Sequence, residues 1–437
     1  MNTASKLKQK SKRRRGMMGC AGDLIKYPHS AWQKEATVLN MNEHRTLYIH
    51  IPFCNARCSF CLFYFGKAAS GQLDIYVDML EKELEHSACK GKLGSVPVNA
   101  VYFGGGTPTD MTPEHFTRLL SRLKKSYNLT NDCEITIEGR VAGFSDDKIK
   151  ACIDNGVNRF SIGVQTFDTA LRRSFGRIAD QGKTIDLLTR LHSYNQAAVT
   201  IDLLYGLPGQ TLETWIEDQR IATEMVPLDG ICHYSLGVPE TVPLAKGIIN
   251  GSSPAPPDEN LCYEMYKAGE HYMKNIGAVC LSVKHYALTN RERNANNDIS
   301  VHKNSCLPFG IKAGGRIGDY FFYQTGAFDK YCAMVKEGEK PIETARKVPA
   351  DYRVCGILAG QISRNLGINV EKAAAVDEKH KGAIIESTKH FLREWLSERL
   401  LLEGLNGWLR FSSKGLFLHK KMATELFETI ADVYYMN

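Results

Sequence analysis

Cys54, Cys58 and Cys61 stand in C-x3-C-x2-C spacing directly after the apolar run TLYIHIP (46–52). A disulfide uses two thiols and a closed zinc site uses four ligands. Three thiolates wrapped by one tight loop suit an iron–sulfur cube, which would be coordinatively full with four cysteines and keeps one iron open with three. A zinc knuckle with a remote fourth ligand is the other arrangement these residues allow, although zinc pairs usually come as separated C-x2-C units.

Further polar and glycine signals follow at regular intervals. The stretch FGGGTPT holds Gly104, Gly105, Gly106 and Thr107. Consecutive glycines let a backbone approach a ligand closely, and their N–H groups can bind a carboxylate or phosphate. The stretch lacks the Gly-Lys-Ser/Thr of a P-loop and the G-x-G-x-x-G of a dinucleotide site. Glu138, Gln165 and Asp202 then occur singly, each amid apolar residues. Any one of them could be a satisfied core polar group. Three at successive strand ends point instead to a shared site.

The elements that must position these residues are short β-branched runs alternating with segments of helical period, the signature of βα units around a parallel sheet. Six strands are expected at 46–52, 99–105, 134–139, 159–165, 199–206 and 230–238, with a sixth helix near 258–275 after the loop GSSPAPP. Six units predict an α/β fold, a partial (β/α)6 TIM-like barrel whose site gathers at the carboxyl ends of its strands. Four regions are predicted: a basic flexible arm and lead-in over 1–44, the core barrel over 45–290, a Gly- and aromatic-rich segment closing over the substrate at 291–345, and a C-terminal helical, winged-helix-like domain over 346–437 in which GLNGWLRFSSKG forms a hairpin.

Composition bounds the class. A chain of 437 residues with 43% hydrophobic and 24% charged residues reads as two or three ordinary globular domains. No apolar run reaches the roughly 18 residues of a membrane span, and no h-region follows the basic start, so the expectation is a cytoplasmic protein without an integral membrane segment. The 13 cysteines read as free thiols plus one ligand cluster. Lys6, Lys8, Lys10, Lys12, Arg13, Arg14 and Arg15 supply the net charge of +7, and the remaining 48 basic residues balance 48 acidic ones. Without interleaved aromatics such an arm reads as solvated, and no nucleic-acid partner is expected.

A three-cysteine cluster motif, a glycine cradle and polar strand ends together resemble the radical S-adenosylmethionine (SAM) superfamily. The resemblance implies a [4Fe–4S] cluster on Cys54, Cys58 and Cys61, and a reduced cluster that cleaves SAM to methionine and a 5′-deoxyadenosyl radical. LYIHIPFC, FGGGTPT, RFSIGVQTF, GRIADQGK and IDLLYGLPGQT are similar to segments of the oxygen-independent coproporphyrinogen oxidase (HemN-like) group over most of 45–240. That group binds two SAM molecules. Carried over position by position, Tyr48, Gly105 and Glu138 would contact one, and Phe60, Gly106, Thr107, Gln165, Arg177 and Asp202 the other, with Gly237 added at the sixth strand's end.

Three branches of the group differ in signature. The oxygen-independent coproporphyrinogen III oxidases carry Gly-Cys after the third cysteine, where this chain has Leu62 and Phe63. The haem chaperones carry a His-Asn…Tyr-Trp motif, in whose region NRERNANND stands here. Cys-x-Phe, SLGVPETVPLAKGI, RERN and FGIKAGG look most like the anaerobic haem-degrading enzymes of the ChuW/HutW type, the anaerobilin synthases, which usually have Gly at the position of Leu62. That resemblance implies a haem or related tetrapyrrole substrate. SAM-derived radical attack with methyl transfer would open the ring to a linear tetrapyrrole and free the iron, with an electron donor such as a flavodoxin as partner. A flat macrocycle with propionates calls for aromatic walls and basic anchors. His285, Arg291 and Arg293, with Phe309, Tyr320 and Phe321, are the expected candidates.

Overall fold

The structure, a computed structural model, describes residues 22–301 and 304–435. The basic arm lies in residues 1–21, outside the described residues. Two compact units form: one from residues 27–300 and 304–345, the other from residues 22–26, 301 and 346–435.

In the larger unit six strands, β1 (Arg45–Ile51), β2 (Val98–Gly105), β3 (Leu129–Arg140), β4 (Arg159–Gln165), β5 (Ala198–Tyr205) and β6 (Gly230–Ser235), pair in parallel and in chain order. All lie where the β-branched runs predicted them, within a few residues. Side chains mark the helix starts between them. The Thr112 hydroxyl accepts the His115 N–H before Pro113–Ser126, and Asp180 accepts the Lys183 N–H before Gln181–Ser193. Asp258 does the same for Glu259–Asn275, the helix expected near 258–275.

The sheet is larger than six strands. A hairpin of β7 (Val279–Ser282) and β8 (His285–Ala287) adds to β6 with β8 antiparallel. On the other side β9 (Ser305–Phe309) pairs in parallel with β1, followed by β10 (Gly314–Ile317), β11 (Tyr320–Gln324) and the edge strand β12 (Ile342–Lys347). The result is a 12-stranded open sheet running from β12 to β7. The segment 291–345, expected as a separate closing element, is thus built into the barrel wall.

A buried carboxylate fastens that wall. Glu83, on the helix Gln72–Ala88, accepts from Lys340 Nζ at 2.6 Å, Tyr331 OH at 2.7 Å, Gln324 Nε2 at 2.8 Å and the Gly310 N–H at 3.0 Å. Removing one partner of a buried pair leaves the other charge uncompensated and costs about 3–5 kcal/mol. Lys340→Met is therefore expected to lower unfolding stability by about that amount, and Glu83→Leu/Lys340→Met to recover much of it. Urea titration checks both; a double variant as weak as the single one would mean that the pair is not the source.

The smaller unit carries the helices Tyr352–Gly360, Lys381–Ser397 and Ser413–Tyr435 with a three-stranded antiparallel sheet, β13 (Gly367–Ile368), β14 (Leu401–Glu403) and β15 (Leu409–Phe411). The hairpin expected in GLNGWLRFSSKG is present between β14 and β15. Asn406 and Gly407 supply its positive φ values, 56° and 75°.

Candidate functional site

Parallel pairing brings the carboxyl ends of β1 to β6 to one mouth, and there a cavity of about 330 Å3 opens. Cys54, Cys58 and Cys61 line it together with Phe60, Gly105, Gly106, Thr107, Glu138, Gln165, Arg177, Asp202 and Gly237. These residues come from six separate βα units, so their meeting is a product of the fold.

The cysteine loop is held at several points. The Cys54 N–H donates to Gly66 O at 2.9 Å, the Ser59 N–H to Phe175 O at 3.2 Å, and the Leu244 N–H to Ser59 O at 2.9 Å. Burial pushes the Cys54 and Cys61 thiols up. Donors aimed at the sulfurs oppose that: Thr107 Oγ1 lies 3.1 Å from Cys54 Sγ, and the Phe63 N–H 3.3 Å from Cys61 Sγ. Such bonds favour thiolate and tune a bound cluster. Among the described residues no three His, Cys, Asp or Glu side chains converge as ligands of one metal ion. A cluster asks for something else, one thiolate per iron around a shared cavity, and the three cysteines do line one cavity.

The glycine stretch works differently from the expected anion cradle. The Gly106 N–H donates to Ile51 O at 2.7 Å, the Thr107 N–H to Phe53 O at 2.9 Å, and the Gly105 N–H to Glu138 Oε2 at 3.3 Å. Its donors are engaged by the chain itself. What the glycines provide is closeness. A Cβ on Gly106 would stand 2.5 Å from Phe53 O, and one on Gly105, whose φ is 104°, would stand 2.5 Å from the His50 ring. The stretch ties β2 closely to the end of β1 and the start of the cysteine loop.

Two carboxyl groups form the floor. Tyr102 OH donates to Glu138 Oε1 at 2.5 Å, fixing that carboxylate beside Gly105. Burial drives Glu138 up to about 7, with Asp202 adding to the shift, and drives Asp202 up to about 6; Arg159 opposes both. The folded protein therefore holds these protons more tightly than the unfolded chain. The stability they contribute is full below the unfolded values and lost as pH rises through about 6 and 7. Relative to Glu138→Gln, the ligand-free protein is expected to lose on the order of 2–3 kcal/mol between roughly pH 5 and 8. Parallel stability–pH curves for the two proteins would contradict this.

Gln165 sits at the cavity with a positive φ of 74°, at a register shift between β4 and β5. A non-glycine residue held there is strained, as is common at binding sites. Arg177 Nη1 donates to Gly163 O at 2.6 Å and its guanidinium lies 5.8 Å from the Phe60 ring centroid. Phe60 packs edge-on against Phe175. Tyr48 is the expected cofactor residue that does not line the cavity. It stacks on Tyr102, 6.3 Å between centroids, and its hydroxyl is 3.0 Å from His50 Nδ1.

The expected substrate anchors lie elsewhere. Glu292 is bound by Arg159 Nε at 3.0 Å and by Thr200 Oγ1 at 3.0 Å, both at the starts of their strands, and buried His285 meets it 3.4 Å away. Arg291 reaches Ala197 O at 2.8 Å and Arg293 reaches Asp132 O at 2.9 Å. His285, Arg291 and Arg293 thus close the amino end of the barrel, opposite the mouth. Phe309 packs against Tyr127 and Lys340, while Tyr320 and Phe321 lie on β11; none lines the cavity.

At the mouth stand groups that were not expected as binding residues, Leu62 and Phe63 having been read only as marks of the branch. Tyr64, Ser161 and Ser235 line the cavity, and so do Leu62 and Phe63, which are 59% and 69% exposed. Lys312, in the turn after β9, carries its Nζ 4.5 Å from the Phe65 ring centroid. The available signal was adjacency: the aromatic run immediately after Cys61 extends the loop that lines the cavity, and Lys312 follows the strand paired with β1.

Comparison with known proteins follows the same lines. The Radical SAM superfamily profile matches residues 48–221. Anaerobilin synthase of Escherichia coli O157:H7 is 38% identical over 312 residues, covering 71% of this chain and 69% of that protein. The heme chaperone HemW of Bacillus subtilis strain 168 is 27% identical over 337 residues, 77% and 85% of the two chains. Among solved structures, coproporphyrinogen III oxidase (HemN) from Escherichia coli superposes with a TM-score of 0.81 over 96% of this chain and 98% of that one, at 21% identity, a likeness of fold. Among the described residues no helix is long and apolar enough to cross a membrane.

Proposed function

This chain belongs to the radical SAM superfamily, in the HemN-like group and close to the anaerobilin synthases, and on that premise we propose that it opens the haem macrocycle without oxygen, by SAM-derived radical and methyl transfer, to a linear tetrapyrrole and free iron. The observation that carries the reading is the meeting of three cysteines and the polar strand ends in one cavity, in a chain 38% identical to an anaerobilin synthase.

When bound, the [4Fe–4S] cluster and SAM supply a 5′-deoxyadenosyl radical. The chain's own part is to hold and orient. Cys54, Cys58 and Cys61 supply the thiolates. Glu138, fixed by Tyr102, offers a buried carboxylate to an ammonium group. Asp202 and Gln165 present acceptors for ribose hydroxyls, Phe60 a ring face for adenine, and Arg177 a guanidinium for a carboxylate. The glycines at 104–106 let β2 close against His50, Phe53 and Glu138 beside the cavity. Two SAM molecules are part of this reading, with Gly105 and Glu138 serving one of them and Tyr48, outside the cavity lining, backing them through Tyr102.

For the macrocycle, the exposed Leu62 and Phe63 and the ring of Tyr64 give an apolar rim directly above the cluster loop. Lys312 beside Phe65 is the cation best placed to pair with a propionate, taking the role first expected of Arg291 and Arg293. An external protein supplies the reducing electron.

Anaerobic incubation of reconstituted protein with SAM, a reductant and haem tests the reading. Loss of the haem Soret band with release of iron is the expected result. Haem that stays bound and intact would sink it in favour of a haem-delivery role, and consumption of coproporphyrinogen would point to a decarboxylase.

A further inference from the structure

The cluster loop faces two ways. Cys58 lines the main cavity, and it also lines a second, narrow pit on the outer side, walled by Ala56, Arg172, Gly176 and Ile178 among others. That pit measures about 20 Å3, room for a water molecule and for no organic reductant. Electrons reaching the loop from this side must therefore come from something docked on the surface over it.

The surrounding surface is one-sided in charge. Residues 52–73 contain Arg57 and Lys67 and no acid. Residues 169–183 contain Arg172, Arg173, Arg177 and Lys183 against Asp180 alone. Asp180 accepts the Lys183 N–H as a helix cap. Buried Arg172 makes its hydrogen bonds to carbonyl oxygens, Ala179 O and Val164 O at 2.7 Å each. The two segments are in contact, since a Cβ on Gly176 would lie 2.9 Å from Arg57 O. Arg57, Arg173 and Lys183 are exposed, and no carboxylate lies within ion-pair range of them among the described residues. Between these cations Ile178 is 76% exposed. An apolar centre within a polar rim is the anatomy of a protein interface. A rim in which basic residues outnumber the single carboxylate, Asp180, favours an acidic partner and speeds its approach.

We infer that this face, Arg57, Arg173 and Lys183 around Ile178, is the docking surface for a small acidic one-electron carrier protein, which passes its electron inward past Cys58. The inference rests on the radical SAM reading and names the partner of that same site. In the transfer the carrier is oxidised by one electron and the bound cluster reduced by one; no bond is made or broken.

The test uses the full-length, cluster-loaded protein with purified flavodoxin as the acidic carrier and photoreduced deazaflavin as an uncharged small reductant. Two readouts are followed: flavodoxin binding by calorimetry, and stopped-flow bleaching of the cluster's visible absorbance. Arg57→Glu/Arg173→Glu is expected to bind flavodoxin at least about tenfold more weakly at low salt and to slow bleaching by a similar factor, because rim charges act on encounter. Raising salt should shrink the gap between it and the wild type. Bleaching by deazaflavin and iron content should not change. Lys124→Glu/Lys125→Glu, on exposed basic residues far along the chain, controls for net charge.

Unchanged flavodoxin binding in the double variant, or an equal loss in the Lys124/Lys125 control, would overturn the docking surface while leaving the radical SAM reading intact. Arg173→Glu and Lys183→Glu alone, outside the cysteine loop, keep the test open should Arg57→Glu disturb cluster assembly. A wild-type protein that assembles no cluster would instead defeat the reading beneath it, and this inference with it.

Discussion

Cys54→Ala, Cys58→Ala and Cys61→Ala proteins, reconstituted with iron and sulfide without oxygen, are each expected to lose the cluster's visible absorbance and to cleave SAM on the order of 10^3-fold or more slowly, since groups that act as one unit fail together. The three thiols line one cavity, and two of them already receive donors, from Thr107 and from the Phe63 N–H. Cys133→Ala and Cys152→Ala are the informative controls, because both residues are buried yet neither lines the cavity. They are expected to cost stability, as core truncations do, and to retain iron. Exposed Cys89 should be neutral to both measurements. Iron analysis beside SAM cleavage separates the cases: equal iron loss in the controls would mean that the ligands are misassigned.

The second large effect is expected at the other end of the barrel. Glu292 and Arg159 form an ion pair with side chains 0% and 3% exposed, at 3.0 Å from Arg159 Nε to both carboxylate oxygens. Glu292→Leu leaves the guanidinium buried without that partner, and about 3–5 kcal/mol of stability should go with it. Arg159→Met/Glu292→Leu should recover a large part, because two apolar groups need no compensation. Arg291→Ala, whose side chain is 30% exposed, is expected to cost only about 1 kcal/mol or less. Urea unfolding of the four proteins measures this. A Glu292→Leu protein as stable as the wild type would contradict the assignment.

The same pair reaches the site, since Arg159 holds both Glu138 and Asp202 below where burial alone would put them. Removing the Arg159 charge should therefore move the Glu138 titration to higher pH and shift the stability–pH curve the same way. The amino end of the barrel and the floor of the cavity are coupled through the Arg159 charge between them.

Much of the site was legible because its signals are local. The spacing of Cys54, Cys58 and Cys61 fits one loop whatever surrounds it. The polar residues Glu138, Gln165 and Asp202 stand out because each interrupts an apolar strand, and parallel pairing of successive strands then brings their ends together. Strand and helix positions follow from side-chain periodicity, which depends on nearest neighbours.

Three features were decided only by tertiary structure, each by a long-range pairing. The N–H groups of the glycine stretch were expected to face a ligand, and instead those of Gly106 and Thr107 meet carbonyls of Ile51 and Phe53, some fifty positions away in the chain. The segment 291–345 was expected as a lid, and its strand β9 found a partner in β1. His285, Arg291 and Arg293 were expected at the mouth, yet β8 runs antiparallel to β6, so the chain leaving it emerges at the amino end of the barrel. Residue types and spacing marked most of the residues that were expected at the cavity and line it. Which end of the barrel a segment reaches depends on the direction of a strand, and that is fixed by hydrogen bonding to a neighbour distant in the chain.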